Sequence, residues 1–478
     1  MDNISLGSDK AKNYHVGIIG AGLAGSMAAC LLDKLGFQVS VYEKRSDPRS
    51  DDEIINDEFG RSTSSLKRSI NLAISHRGFC ALKEIDLYDT VMEHVIRMPC
   101  RVIHNIDHSI TKQAYGKEDE AIWSISRHYL NFLLLNQLSQ KSHHSIHFDH
   151  TLISISKTGL CTFQGPKGEI NQKFDLVLGA DGAYSAVREC MLKQGRIDFS
   201  RNYIKHGYKE LSIPPKIFKN ENNETMYEYA LDDVNGLHIW PRGEFMLIAL
   251  PNPDKSFTAT LFAPYHGKDG FDSISMDRED IINYFTRYFP DVVPLMPDLA
   301  DDYCSNPVGS LVTIKVNPWV SGRTLLIGDA AHAVVPFYGQ GMNAAFEDAL
   351  SLYELIKQKF LDETSDTTLQ DVAAEFSNLR IPAANGLADL CIEHYNDMAS
   401  HTNSALYLLK IKIEAFIFKL FPSYFIPLYT MVSFTRTPYH LAMKKSDKQN
   451  KFISQIVTGL GLGIIGSFSY FSNRYFRK

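Results

Sequence analysis

The stretch RTLLIGDAAHAVVPFYGQGMNAAFED, residues 323–348, decides the fold. It begins with the apolar run TLLI, which is typical of a buried strand, and it breaks at Gly328-Asp329. It ends in a glycine-rich turn, residues 339–341, that opens a helix. An acidic residue at a strand's carboxyl end, beside backbone amides at a helix N-terminus, suits a sugar-alcohol or phosphate group. The stretch therefore predicts an α/β fold with a cofactor site at the end of this strand.

A second glycine-rich turn lies near the N-terminus. The apolar strand at residues 16–19 leads into GAGLAG, residues 20–25, and a second strand at 38–42 ends at Glu43. The glycines of such a turn allow a tight bend, close approach to a pyrophosphate and packing of the helix on the strand. Glu43 is placed to bind a ribose diol. This βαβ unit predicts dinucleotide binding, and its alternative is a purely structural turn.

A third motif, GADGAYSAVR at residues 179–188, follows another apolar strand. Its Asp181, next to a glycine and a helix start, would serve a cofactor phosphate or a second nucleotide, although a plain strand–turn–helix has the same pattern. Ser185 stands in a GxxS context, not GxSxG, so a hydrolase nucleophile is not indicated.

Composition excludes several classes of protein. The chain has 478 residues, 44% of them hydrophobic, which is enough for two or three domains, and its net charge of −6 does not indicate nucleic-acid binding. The seven cysteines are never spaced as CxxC, which favours a reducing compartment without disulfides or structural zinc. The tract containing His143, His144, His147 and His150 lacks a nearby cysteine or carboxylate pair, so no metal site is predicted.

The C-terminus carries an uncharged run at residues 452–473 with basic residues on both sides. As a helix, a run of that length would span about 33 Å, roughly the core of a bilayer. We therefore expect a membrane anchor helix, and the alternative is a buried or interfacial helix.

The three motifs occur in the order GxGxxG, GADGxxSxVR and GDAAHxxxPxxGQGMN, and in this order they resemble the class A flavoprotein monooxygenases over residues 14–348. The resemblance implies an FAD-binding, Rossmann-like (GR2-type) α/β domain with noncovalent FAD. It also implies reduction by NAD(P)H without a second Rossmann domain, and attack on an aromatic ring by a flavin C4a-hydroperoxide. Because the flavin carries the chemistry, no catalytic side chain is expected.

Nearly the whole chain is similar to the members of this group that hydroxylate L-kynurenine. The similarity lies in RSINLAISHRG at 68–78, HGY at 206–208, HIWPR at 238–242, PFYGQGMN at 336–343 and FIPLYTMV at 425–432. It implies L-kynurenine, NADPH and O2 as substrates, 3-hydroxy-L-kynurenine as product, and a place in tryptophan degradation toward NAD synthesis. It also implies a location at the mitochondrial outer membrane, with the catalytic part facing the cytosol.

The resemblance also implies a domain division. An FAD-binding domain would comprise residues 1–85, 121–200 and 306–375, and a β-sheet substrate domain would comprise residues 86–120 and 201–305. A C-terminal helical region would follow at 376–450, before the anchor at 452–473. Alternating strands are expected to dominate roughly residues 200–305.

The cofactor site is expected to combine the three motifs with a few separate positions. Asp329 matches the ligand of the ribityl chain, and Met342 with Asn343 matches the loop against the isoalloxazine ring. The expected cofactor-binding residues are Gly20, Gly22, Ala24, Gly25, Tyr42, Glu43, Lys44, Arg45, Ala73, Arg127, Leu152, Asp181, Ala186, Asp329, Gly341, Met342 and Asn343. His332, although conspicuous, is expected to be a packing residue.

The substrate site is expected to hold an amino-acid head group. Arg101 and Tyr115 match a carboxylate-binding pair, to which a planar guanidinium is suited, although a surface ion pair is the alternative for Arg101. The family commonly has an asparagine where this chain has His394, which could hydrogen-bond the head group or simply pack. The expected substrate-binding residues are Arg101, Tyr115, Tyr429, Phe337, Gln340 and His394.

Two other functions remain open at this stage. One is a class A hydroxylase acting on a different aromatic ring or on a quinone precursor. The other is a binding protein like the Rab GDP-dissociation inhibitors, which use a related dinucleotide fold without redox chemistry. The three intact flavin motifs favour a flavin enzyme over the binding protein.

Overall fold

The fold is described from a computed structural model, which covers residues 9–50, 71–139, 145–362, 364–400, 414, 417–421, 424–453 and 455. The strands are β1 His15–Ile19, β2 Gln38–Tyr42, β3 Asn71–Ile74, β4 Ile96–Met98, β5 Cys100–His104, β6 Ile110–Ala114, β7 Ile122–Ser126, β8 Ser145–His147, β9 Thr151–Ile155, β10 Leu160–Gly165, β11 Gly168–Lys173, β12 Leu176–Gly179, β13 Asp198–Ile213, β14 Lys216–Lys219, β15 Thr225–Glu228, β16 Gly236–Arg242, β17 Phe245–Pro251, β18 Phe257–Pro264, β19 Gly309–Asn317, β20 Val320–Ser321 and β21 Thr324–Leu326.

Two helices precede β3, and the others follow it along the chain. They are α1 Asp9–Lys12, α2 Leu23–Lys34, α3 His76–Glu84, α4 Tyr88–Met92, α5 Arg127–Ser139, α6 Ala186–Gln194, α7 Arg278–Tyr288, α8 Leu299–Ser305, α9 Asp329–His332, α10 Gly341–Leu355, α11 Leu369–Ser400 and α12 Leu428–Phe434. Residues 439–453 are also helical. Short 3-10 turns occupy Val293–Leu295 and Pro336–Tyr338, and a π-helical turn occupies Ile356–Phe360.

A six-stranded sheet of order β20-β21-β12-β1-β2-β8 carries the three glycine motifs. Strand β1 runs parallel to β2 and β12, and β12 runs parallel to β21. Ile19 pairs with Gly179, which in turn pairs with Leu326. The carboxyl ends of these strands therefore meet at one edge, where doubly wound α/β folds bind their ligands. The predicted Rossmann-like fold is confirmed.

A seven-stranded, mostly antiparallel sheet of order β19-β13-β18-β17-β16-β5-β6 forms the second layer. Its core contains Trp240, Phe257 and Leu261, against which Phe285 and Phe289 pack. Strands dominate residues 200–264, whereas helices α7 and α8 occupy the last part of the range 200–305. The apolar spacing of α7 at positions 281, 284 and 285 is helical, and it buries one face of α7 against the sheet.

Strand β19 connects the two sheets. It pairs with β13 at the edge of the seven-stranded sheet, although the predicted domain limits assign it to the FAD-binding part. Its Ile314 and Val316 pack in the core of the six-stranded sheet, whereas Leu311 packs in a separate cluster against the C-terminal helices. The domain limits themselves stay a prediction.

The expected membrane anchor is not supported. Among the residues that the structure describes, no helix is long and apolar enough to cross a membrane. The prediction of a fold with a transmembrane helix is therefore wrong for the described part of the chain. Apart from Phe452, Ile453 and Gln455, the segment 452–473 lies outside the described residues.

A buried network of charges joins helices α3, α9, α10 and α11. Arg77, which is fully buried, donates to both carboxylate oxygens of Glu347 at 2.6 Å. Arg380 donates to Glu347 at 3.0 Å and to Asp348 at 2.8 Å. Asp348 also lies 2.5 Å from the Nε2 atom of His332. Two buried carboxylates are thus matched by two buried guanidinium groups, which is the condition for tolerating them in the interior.

Removal of one member should leave its partners charged and unmatched. We expect Glu347→Ala to lower the free energy of unfolding by about 3–5 kcal/mol, measured by urea unfolding followed by circular dichroism. The matched control is Glu354→Ala, which removes a half-exposed carboxylate 2.6 Å from Arg436 and should cost at most about 1 kcal/mol. Equal losses in the two variants would contradict a structural role for the buried network.

Candidate active site

The first glycine turn is shaped by close backbone contacts. Gly20 has a φ of +106°, and a Cβ atom there would lie 2.5 Å from the carbonyl oxygen of Ala180. A Cβ atom on Gly25 would lie 1.9 Å from the carbonyl oxygen of Gly20. Gly22, in contrast, faces open space, with no atom within 4 Å of such a Cβ. The turn is therefore closed on the side of the second motif and open where a pyrophosphate would approach.

The third motif reaches the same place through Gly328. This residue has a φ of +57°, and a Cβ atom on it would lie 2.9 Å from that of Ala24. The bend turns the chain from β21 into α9, and the side chain of Asp329 is exposed at the end of an otherwise buried strand. The two motifs, separated by 300 residues in sequence, therefore form one surface.

Asp181 of the second motif has an oxygen that needs a donor. Its Oδ2 atom accepts from the backbone amide of Val187 at 3.1 Å, whereas Oδ1 is buried and has no hydrogen-bond partner in the described chain. Burial raises the pKa of this carboxyl, and a hydrogen bond from Ser185 partly offsets that rise. Since buried polar atoms are nearly always hydrogen-bonded, this oxygen suits a hydroxyl-bearing ligand.

Glu43 directly follows β2, and its side chain contacts the first glycine turn. Its carboxylate accepts from the amide of Ala21 at 2.9 Å and from the Nε atom of Arg45 at 2.8 Å. Burial alone would raise the pKa of Glu43, but the hydrogen bonds from Arg45 and Ala21 outweigh it and lower the pKa. Glu43 is therefore ionised beside the turn. The adjacent Tyr42 side chain points away and stacks on Phe163, with ring centroids 3.9 Å apart.

The loop that opens α10 is fastened to β3 by one side chain. The side-chain Nδ2 atom of Asn343 donates to the carbonyl of Ala73 at 2.8 Å and to that of Gly339 at 2.9 Å. Its Oδ1 atom accepts from the amide of Ser75 at 2.9 Å. Asn343 therefore acts through its side chain as a clamp, which leaves the backbone at Gly341 as the loop's means of binding a ligand.

The other expected cofactor residues differ in exposure. Lys44, Arg127 and Ala186 are exposed, Met342 is half-buried, and the Leu152 side chain packs in the core. Leu152 could therefore meet a cofactor only through its backbone, whereas Arg127, at the start of α5, is exposed, and its charge partly offsets the rise in the pKa of Glu210 that burial causes.

A cavity of about 780 Å³ lies between the seven-stranded sheet and the C-terminal helices. Arg101 of β5 and Tyr115, just after β6, line it from the sheet. His394 of α11 and Tyr429 of α12 line it from the helices. The structure thus brings together four of the six expected substrate-binding residues, although they are up to 328 positions apart in the chain.

Arg101 lies beside two stacked aromatic rings. Its guanidinium carbon is 5.3 Å from the ring centroid of Tyr115 and 5.2 Å from that of Tyr429. These two rings stack, with centroids 4.9 Å apart and planes at 11°. The Nη2 atom of Arg101 lies 3.2 Å from Nε2 of His394. The guanidinium is therefore held by cation–π contacts and by an imidazole, at the wall of the cavity.

The protonation states around Arg101 follow from burial. Burial and the charge of Arg101 lower the pKa of His394 to about 3, so the ring is neutral and accepts from the guanidinium. Burial raises the pKa of Tyr115 and of Tyr429, so both hydroxyls keep their protons and can donate. One cation with two hydroxyl donors and aromatic walls is a suitable site for a carboxylate on an aromatic molecule.

Phe337 and Gln340 lie elsewhere. The ring of Phe337 packs on Phe262 and Tyr395, at centroid distances of 5.1 and 4.7 Å, and Gln340 is buried 3.3 Å from Ser75. Neither is among the residues that line the cavity of Arg101 in the described structure, so their contact with a substrate stays a prediction.

Tyr338 lines the cavity, although it is not among the expected substrate-binding residues. Its ring stacks on Tyr429 at 5.5 Å and lies 4.8 Å from the ring of His394. The segment Pro336–Tyr338 is a 3-10 turn, in which successive side chains point about 120° apart. A prediction of that turn would have indicated that Phe337 and its neighbour face different sides.

Two protein families match parts of the chain. An NAD(P)-binding Rossmann-like domain matches residues 18–56, and an FAD binding domain matches residues 308–380. These ranges contain the first and third glycine motifs.

Relatives with this sequence pattern cover almost the whole chain. The chain is 41% identical over 470 residues to a kynurenine 3-monooxygenase of Sus scrofa, which covers 97% of this chain and 93% of the relative. Identity is 39% to one of Dictyostelium discoideum, with 94% of each chain covered, and 38% to one of Candida albicans, with 96% of each covered.

Solved structures share the fold. One is a tetrameric form of 2-methyl-3-hydroxypyridine-5-carboxylic acid oxygenase, with a TM-score of 0.64, 20% identity, and coverage of 82% of this chain and 94% of the other. Another is PqsL of P. aeruginosa in complex with 2-aminobenzoylacetate, with a TM-score of 0.62, 17% identity, and coverage of 81% and 97%.

The low pKa of His394 predicts acid sensitivity. Below pH 6.5 the unfolded chain binds a proton at this histidine, whereas the folded chain does not until the pH approaches 3. The unfolded state is therefore favoured as the pH falls, and this group should cost about 1.5–2 kcal/mol of stability between pH 6.5 and 5. In urea unfolding, His394→Gln should lose that much less stability than the wild type over this range.

The matched control for this experiment is His108→Gln, which changes an exposed histidine. It should lose stability over the same range as the wild type does. Equal losses in the wild type and His394→Gln would show that His394 is not kept neutral by its surroundings.

Proposed function

The chain belongs to the kynurenine 3-monooxygenase family, and on that premise we propose that its Arg101 cavity binds L-kynurenine for hydroxylation to 3-hydroxy-L-kynurenine. The protein is an FAD-dependent monooxygenase that uses NADPH and O2. The observation that carries the proposed substrate is the guanidinium of Arg101 beside the stacked rings of Tyr115 and Tyr429, in a cavity large enough for an aromatic amino acid.

The glycine-motif surface fits FAD. Gly22 leaves open space for a pyrophosphate, and the buried Oδ1 atom of Asp181 needs a donor such as a ligand hydroxyl. The exposed carboxylate of Asp329 can accept from hydroxyl groups of the ribityl chain. When bound, FAD accepts electrons from NADPH and supplies the activated oxygen.

The head group of the substrate would be bound by charge and hydroxyl donors. Arg101 can pair with both oxygens of the α-carboxylate, and Tyr115 and Tyr429 can donate to the same group. His394 is neutral, so it adds no second cation that would repel the substrate's α-ammonium group. This arrangement favours an amino acid over a simple amine, which Arg101 would repel.

The aromatic ring would lie close to the flavin because one loop serves both sites. Tyr338 lines the cavity, whereas Gly341, three residues later, starts α10, whose first amides would face the cofactor. The ring of L-kynurenine is activated by its ortho amino group, so the protein needs to position it and exclude water more than to supply a strong base. The expectation that the side chains supply no catalytic base follows from this chemistry.

The location at the mitochondrial outer membrane, with the catalytic part facing the cytosol, stays a prediction from the family resemblance. Protease treatment of intact mitochondria would test it, since a cytosol-facing enzyme is digested without rupture of the membrane.

Product analysis tests the proposed reaction. Purified protein loaded with FAD is incubated with L-kynurenine, NADPH and O2, and the products are identified by mass spectrometry and chromatography against authentic 3-hydroxy-L-kynurenine. The proposal expects one oxygen atom from O2 in that product for each NADPH consumed. Turnover of another aromatic acid in preference to L-kynurenine would contradict the proposed substrate.

Arg101→Ala should remove substrate binding without removing the flavin. We expect kcat/KM for L-kynurenine to fall at least about 100-fold, because a buried charge-assisted pair is lost, while FAD absorbance per protein is unchanged. The matched control is Lys112→Ala, which removes an exposed cation on the neighbouring strand β6 and should leave kcat/KM unaltered. Joint loss of FAD and substrate binding in Arg101→Ala would contradict this role.

A further inference from the structure

The two tyrosines beside Arg101 come from different parts of the fold. Tyr115 starts the loop between β6 and β7, residues 115–121, and its backbone amide donates to the carbonyl of Pro99 at 3.1 Å. Tyr429 belongs to α12. The hydroxyl of Tyr115 is buried and has no hydrogen-bond partner in the described structure. The stacking of the two rings, at 4.9 Å, therefore depends on how the loop and the helix are held against each other.

Glu120, near the other end of this loop, reaches back across it. Its Oε2 atom accepts from the backbone amide of Lys117 at 3.1 Å, and its own backbone amide donates to the carbonyl of Lys117 at 3.0 Å. The carboxylate lies against Gly116, where a Cβ atom would come within 1.8 Å of Oε2. Any side chain at position 116 would displace the carboxylate, so the glycine next to Tyr115 leaves the room that Glu120 occupies.

The same oxygen of Glu120 also contacts α12. The hydroxyl of Thr430, which is buried, donates to Oε2 at 3.4 Å, and Thr430 follows Tyr429 directly in the chain. One carboxylate oxygen thus accepts from the residue two positions after Tyr115 and from the residue after Tyr429. Burial raises the pKa of Glu120, and the hydrogen bonds from Lys117 and Thr430 offset only part of that rise, as expected of a carboxyl enclosed between a loop and a helix.

The helix needs a contact at this end. Arg77 of α3 holds the C-terminal half of α12 by donating to the carbonyl of Val432 at 3.1 Å. The first turn of α12, which carries Tyr429, is joined to the 115–121 loop through Thr430. Without that contact the turn could shift relative to the loop, and the two tyrosine hydroxyls would no longer reach the same ligand group.

We propose that Glu120 is a positioning residue for the carboxylate of the substrate, because it joins the 115–121 loop to α12 and keeps Tyr115 and Tyr429 in register. Glu120 is not among the residues that line the cavity in the described structure, so it acts through the two tyrosines and not by touching the ligand. The inference rests on the proposed function for the identity of the ligand. It adds a residue that determines how tightly the amino-acid head group binds.

Steady-state kinetics of the FAD-loaded protein test this role. Glu120→Ala should raise KM for L-kynurenine about tenfold and leave kcat within about twofold, because the head group is remote from the reacting ring and contributes equally to ground-state and transition-state binding. Glu120→Gln keeps an oxygen that can accept from Lys117 and Thr430, so its KM should stay within about threefold of the wild type. The matched control is Asp119→Asn, which removes the same charge from the neighbouring exposed residue and should leave KM unaltered.

A ligand without the head group separates positioning from general damage to the cavity. 2-Aminoacetophenone keeps the aromatic amine and the ketone of L-kynurenine but lacks the amino-acid tail. Its Kd, measured from the change in flavin absorbance, should be the same in Glu120→Ala as in the wild type, and so should the FAD content. The Kd for L-kynurenine should rise in parallel with KM. Weaker binding of both ligands would overturn the inference, because Glu120 would then only support the fold of the cavity.

Thr430→Val tests the contact from the side of the helix. It removes the hydroxyl donor at nearly unchanged volume and should raise KM for L-kynurenine at least about threefold. In the Glu120→Ala background the same change should have little further effect, because the contact is already lost. Full additivity of the two substitutions would overturn the inference, as would a wild-type KM in Glu120→Ala.

The proposed function fails by a different result, seen in the wild type alone. If the wild type binds and hydroxylates another aromatic acid in preference to L-kynurenine, the proposed substrate is wrong. The role of Glu120 is then decided by the KM of the same variants for that acid, so the two conclusions fail separately.

Discussion

The paired carboxylates of Glu347 and Asp348, in the middle of α10, are the contact on which the rest of the structure depends. Glu347 is matched by Arg77 from α3 and by Arg380 from α11, and Asp348 is matched by Arg380 and His332. Burial raises the pKa of Asp348, but the charges of His332 and Arg380 outweigh it and keep the carboxylate ionised. Because an unmatched buried charge is costly, these helices can pack together only in one arrangement.

That arrangement determines where the site lies. Asp348 accepts from the backbone amide of Gly328 at 3.0 Å, so α10 holds the bend that exposes Asp329. Arg77 of α3, which is paired with Glu347 of α10, donates to the carbonyl of Val432 at 3.1 Å, so α3 positions α12 and its Tyr429. His332, the most conspicuous residue of this region, therefore serves the packing of the cofactor loop and not the chemistry, as its burial against Trp319 also indicates.

The two halves of the site use opposite physical conditions. The surface proposed for the cofactor is open at Gly22 and carries the exposed carboxylate of Asp329, which suits a large polar ligand. The substrate side is enclosed, and burial keeps His394 neutral and both tyrosines protonated around one cation. A single loop joins the Arg101 cavity, which Tyr338 lines, to the third glycine motif, where Gly341 starts α10. The separation of the proposed substrate and cofactor sites therefore depends on the backbone of four residues.

Local sequence determined a large part of this. The three glycine motifs and the βαβ unit follow from short-range rules, since turns, apolar runs and helix starts depend on neighbouring residues. The family resemblance then indicated Arg101, Tyr115, Tyr429 and His394, which the structure brings into one cavity. Only the tertiary structure decided the remainder. That Tyr338 lines the cavity, and Phe337 does not, depends on a 3-10 turn. The ion pair between Arg77 and Glu347 joins residues 270 positions apart. Such contacts depend on which elements pack together, and no pattern within a single element carries that information.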